Sequence, residues 1–123
     1  MKNDDLENIT RICDRKYFCS NQDRQGTGYL EYTKGGWDKE TFWQDDSMYL
    51  NIDFEIFDYV QILQAVLPNY DTYGVTEILP EQWKQIRSKA KRRGGTVVEM
   101  VEEIDCWMYD TFQIHGKVTI LGI

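Results

Sequence analysis

Apolar positions along this chain change their spacing several times, and each change marks an element. Leu6, Ile9 and Cys13 recur at helical intervals with Ile12 alongside, and Asp4 with Glu7 forms a capping box, so residues 3–14 predict a short helix. KYFCS (16–20) and YLEYTK (29–34) predict strands on either side of the polar loop 21–28, and Gly35-Gly36 turns the chain. Residues 41–52 predict a third strand, broken near Asp45-Asp46, with Met48, Leu50 and Ile52 on one face. Short connections between these three strands suggest an antiparallel meander. Phe54, Phe57, Val60, Leu63, Val66 and Leu67 then repeat at helical spacing between an Asp53 cap and Pro68.

The second half alternates strand and helix. YGVTEIL (73–79) predicts a strand. Pro80 suits the start of a helix over 80–92, with Trp83, Ile86 and Ala90 on one face and bases around the rest. After Gly94-Gly95, T-V-V-E (96–99) reads as a capping box. Val97, Val101, Ile104, Met108 and Phe112 form the stripe of a helix running to about 114, stopped by Gly116. VTIL (118–121) predicts a closing strand. A chain of 123 residues fits one domain. The predicted class is α+β: an antiparallel or mixed sheet of about five strands, with three to four helices packed mainly on one face.

Charge changes the picture more than composition does. Residues 38–81 carry ten acids against one base, a net of −9, while residues 82–93 carry six bases and no acid. A chain with so acidic a middle repels nucleic acid there and prefers a basic partner. The basic run Lys84, Arg87, Lys89, Lys91, Arg92 and Arg93 reads as a solvated helix face, or as one paired with the protein's own acids. The longest apolar runs fall far short of a membrane span, and MKNDDLENIT has no secretory h-region, which points to the cytoplasm.

The chemistry-bearing residues do not assemble into a motif. One His, with no C-x-x-C and no H-E-x-x-H, gives no recognisable zinc site, and no cofactor signature appears. Asp45 and Asp46, read as neighbours on a strand, point to opposite faces and chelate poorly. Cys13, Cys19 and Cys106 are an odd count, expected to be free and buried beside apolar neighbours. A Cys–His115–Asp constellation is arithmetically open, but His115 before Gly116 reads as a helix C-terminal cation. The reading is therefore not an enzyme.

What remains is the stretch Trp37–Tyr59, which holds seven of the 17 aromatic residues and seven acids against Lys39 alone. Aromatic rings anchor interfaces and clustered acids steer basic partners. The candidate partner-binding residues are Trp37, Asp38, Glu40, Trp43, Asp45, Asp46 and Tyr49, with the acids supplying charge and the rings supplying anchors. Small size, acidity and the α+β pattern, carried by WDKETFWQDD and NIDFEIFDY, resemble the small acidic immunity proteins of bacterial toxin–immunity systems. That resemblance implies a cytoplasmic protein that binds a cognate toxin, often a nuclease with a basic active site, and masks it stoichiometrically. It carries no binding residue over by position, and the basic helix 84–93 departs from it. Three other classes stay open: a regulatory or homodimerising module using the exposed aromatics, a small-ligand or enzyme domain using a pocket between sheet and helices, and, least favoured, nucleic-acid binding through the basic run 84–93.

Overall fold

A computed structural model of the chain describes residues 16–37 and 42–122. The predicted helix over 3–14 lies outside those residues. Five strands, β1 (Phe18–Cys19), β2 (Tyr29–Lys34), β3 (Met48–Asn51), β4 (Val75–Ile78) and β5 (Val118–Leu121), form one antiparallel sheet in the order β1-β3-β2-β5-β4. Three α-helices, α1 (Phe57–Val66), α2 (Pro80–Arg93) and α3 (Thr96–His115), complete the described domain. The α+β class, the antiparallel sheet and the single domain are as the pattern predicts. The meander is not: β3 sits between β1 and β2, so Phe18 pairs with Leu50 and Leu30 pairs with Leu50 from the other side.

Strand alternation sorts the sheet into two faces. Phe18, Leu30, Tyr32, Met48, Leu50, Ile78, Val118 and Ile120 join the core with Tyr59, Ile62 and Leu63 of α1, Trp83, Ile86 and Ala90 of α2, and Val97, Met100, Val101, Ile104 and Met108 of α3. Tyr32 and Tyr59 join their hydroxyls at 2.5 Å within this core, and the Phe18 ring meets Tyr32 edge-on. The opposite face carries the row Cys19, Tyr49, Glu31, Leu121 and Val75, which pair across all five strands. Its central members Glu31, Tyr49 and Leu121 are buried, although the helices lie on the other side.

Three local departures have physical causes. The strand predicted over 41–52 shortens to Met48–Asn51, because Trp43 takes a left-handed φ of 60° and Gln44–Ser47 closes as a β-turn, Ser47 N–H donating to Gln44 O. The helix predicted from Phe54 begins at Phe57. Asn51 caps a short 3-10 turn (Ile52–Phe54) by accepting from Asp53 N–H, and Ile56 is extended before the α-helix starts. The helix is rephased as a result: Tyr59, Ile62 and Leu63 turn inward and Phe57 is 73% exposed.

The capping box T-V-V-E does not form either. Gly95 is the cap, Thr96 is the first helical residue, and the Glu99 carboxylate accepts from Tyr17 hydroxyl instead. The neighbouring Glu103 accepts from the main-chain N–H of Tyr17 and Phe18, tying β1 to α3. Pro80 at the start of α2 and left-handed Gly116 at the end of α3 stand where the sequence places them.

Candidate functional site

Glu31 is the centre of the second sheet face. It points away from the helices because Leu30 and Tyr32 on either side point toward them. Only 2% of it is exposed, so its carboxylate needs partners inside the protein. The loop leading into β3 supplies them. Trp43 N–H donates to Oε1 at 2.7 Å, Gln44 N–H to Oε2 at 3.0 Å, and Ser47 hydroxyl to Oε2 at 2.7 Å. Tyr49 hydroxyl lies 3.3 Å from Oε2, but its one proton goes to Gln44 O at 2.6 Å. Glu31 makes no ion pair with any described cation.

The other end of the loop is held by the 21–28 turn region. Asn21 side-chain N–H donates to Trp43 O and to Asp45 Oδ1, both at 2.9 Å. Arg24 donates to Asn21 Oδ1 and lays its guanidinium 4.0 Å from the centre of the Trp43 ring. The Trp43 ring in turn stacks on Tyr49 at 5.8 Å. A residue with Cβ at φ 60° sits in a sparsely populated conformation, and here both main-chain groups and the ring of that residue are tied down. Burial, and then the nearby Glu31 charge, push the Tyr49 phenol well above its ordinary pKa, so it stays a neutral donor.

The sequence-predicted residues divide accordingly. Trp37 and Trp43 are half-buried; Trp37 packs against Phe42 with ring centres 4.9 Å apart. Asp45 and Asp46 are exposed at the tip of the β-turn, not on a strand. Tyr49 is a correction: with 0% exposure it is a wall behind Trp43, not a surface anchor, because it lies on the covered sheet face. Asp38 and Glu40 lie outside the described residues. Phe42 is 49% exposed beside the turn, and it is not among the candidate residues picked from the sequence. Between loop and sheet lies a cavity of about 220 Å³ lined by Thr27, Tyr29, Glu31, Phe42, Trp43, Leu121 and Gly122.

The remaining chemistry does not converge. Cys106 is exposed on α3, contrary to the expected burial, since its turn of the helix faces outward between Asp105 and Trp107. Burial and the charge of Asp23 raise the half-buried Cys19 thiol, against a smaller opposing effect of Arg24. His115 is exposed at the end of α3, beside Gly35, and about 13 Å along the helix axis from Cys106. No group of three or more described His, Cys, Asp or Glu side chains is placed to hold a metal ion, and no described helix is long and apolar enough to cross a membrane.

The basic helix α2 turns several of its cations toward the protein's own acids: Arg87 to Asp105 at 3.3 Å, Arg93 to Asp58 at 2.8 Å and Lys84 to Glu81 at 3.8 Å. Lys89, Lys91 and Arg92 make no ion pair among the described residues, and they line shallow grooves against α1 and α3. No family model, curated protein or solved structure matches this chain.

Proposed function

We propose that this chain is a binding protein for a basic protein partner, with the loop from Phe42 to Ser47 at the centre of its contact surface. The observation that carries the reading is the fixation of that loop from beneath. Glu31, Asn21 and Arg24 hold Trp43 and Gln44, so the exposed Phe42 ring and the Asp45 and Asp46 carboxylates are presented in a set shape. A preorganised loop loses little entropy on binding, and the acids around it steer a cationic surface toward it. Asp38 and Glu40 add two negative charges just before that loop in the sequence. The partner class that the resemblance implies is a toxin with a basic active site, and it is the first to try.

The test is a pull-down from source cells with the wild-type chain as bait, repeated with Asp45→Lys plus Asp46→Lys. Recovery of one basic protein that the double variant loses, and that raised salt weakens, supports the reading. A partner retained by the double variant and indifferent to salt contradicts it.

One observation favours self-association as a second reading. β4 is a sheet edge, and Tyr73 and Val75 beside it are 76% and 54% exposed. Light scattering separates the two readings, since the first needs no dimer.

A further inference from the structure

The 220 Å³ cavity under the loop has a chemistry that nothing in the loop's charge requires. Three of its lining residues are aromatic, Tyr29, Phe42 and Trp43, and the carboxylate among the seven is Glu31. The volume is below the roughly 300–1,000 Å³ of sites for drug-sized ligands, which suits one extended side chain. Among the described residues the buried Glu31 carboxylate accepts from neutral donors, with one firm bond to Oε1 and two to Oε2. A carboxylate oxygen has two acceptor sites, so Oε1 keeps one to offer.

Aromatic faces beside a carboxylate recognise cations, through ring quadrupole and charge together. The protein already uses Trp43 in this way: the Arg24 guanidinium stands 4.0 Å from its ring centre, yet Arg24 is not among the cavity's lining residues. The left-handed backbone of Trp43 falls at the same place, and its N–H is held by Glu31, which lines the cavity with it.

We infer that this cavity is the receptor for a single arginine or lysine side chain of the basic partner, which enters between Phe42 and Tyr29 and meets the Glu31 carboxylate. The inference rests on the proposed function and names its anchoring contact. The partner's cation supplies a counter-charge that no described residue gives Glu31, and the aromatic walls exclude water from the pair. Arginine is favoured over lysine, because its flat guanidinium stacks on rings and reaches a carboxylate along a fixed fork.

The probe is N-acetyl-arginine methylamide, titrated into isotope-labelled protein with the Trp43 amide, Trp43 indole and Phe42 ring signals followed by NMR. The corresponding citrulline derivative is the neutral isostere. Saturable shifts confined to these residues, about tenfold weaker for citrulline, are expected. Thr27→Trp, at an exposed turn residue on the cavity rim, should abolish them without altering the fold; Phe42→Ala, which removes one wall, should weaken them.

Equal binding of arginine and citrulline derivatives, no saturation, or insensitivity to both variants would overturn the inference. Because no partner is needed, failure here leaves the charge-reversal result on the loop standing, and failure of that result leaves this one readable.

Discussion

Glu31 and Trp43 are twelve residues apart, and the main-chain N–H of Trp43 reaches the Glu31 carboxylate at 2.7 Å. This contact makes the second face of the sheet an interior. It turns the chain at a residue whose φ is 60°, brings the Trp43 ring onto Tyr49, and leaves Asp45 and Asp46 at the tip of a closed turn. A buried carboxylate with this many donors is expensive to remove, because the donors lose their acceptor together.

Replacing Glu31 with Ala leaves Trp43 N–H, Gln44 N–H and Ser47 hydroxyl without their partner. The expected loss is roughly 2–4 kcal/mol, limited by the loop opening to water. Glu31→Gln keeps the shape and one acceptor oxygen and should lose about half as much. Urea denaturation of the two variants against wild type gives both values. A Glu31→Ala variant as stable as wild type would show that the loop is not held from below.

The register of α1 makes a second prediction. Ile62 is buried and Phe57 is exposed, the reverse of what a helix starting at Phe54 implies for Phe57. Ile62→Ala should cost roughly 2–5 kcal/mol, and Phe57→Ala no more than about 0.5 kcal/mol. The same denaturation experiment decides, and a large loss at Phe57 would restore the earlier phase.

Stability should fall at alkaline pH. Burial raises the phenol pKa values of Tyr32, Tyr59, Tyr49 and Tyr70 above the ordinary value of 10.0, with neighbouring Glu55 or Glu31 adding to it. The folded state keeps protons that the unfolded chain releases, so this contribution is complete below about pH 10 and is lost as pH rises beyond it. Unfolding should coincide with the rise of phenolate absorbance, and Tyr32→Phe should reduce the slope. A fold whose stability is level well above pH 10 would contradict the buried tyrosine network.

Much of the frame was legible from periodicity. Tyr29–Lys34 and Val118–Leu121 fall where the pattern puts them, as do the buried faces of α2 and α3, because alternation and helical spacing report burial directly. The phase of α1 was not, because Asn51 accepts from Asp53 N–H and starts a 3-10 turn over 52–54, so Asp53 is no cap and the α-helix begins later, after an extended Ile56 with no side-chain cap. Trp37, Trp43 and the two turn aspartates could be picked out by composition. Glu31 could not: its partners are backbone N–H groups twelve and thirteen residues away, which leave no mark in residue type. The usable signal was a carboxylate in the middle of a strand whose pairing residues include Tyr49 and Leu121. Tyr49 misled for the same reason, since alternation names two faces without saying that a loop covers the second.

Native-state hydrogen exchange at the amides of Trp43 and Gln44 tests the central claim most directly. If Glu31 pins the loop, both amides are protected in the wild-type protein, and Glu31→Ala releases them while the β2–β5 amides keep their protection. Exchange of Trp43 and Gln44 at unprotected rates in the wild type would contradict the account, and the preorganised binding surface would go with it.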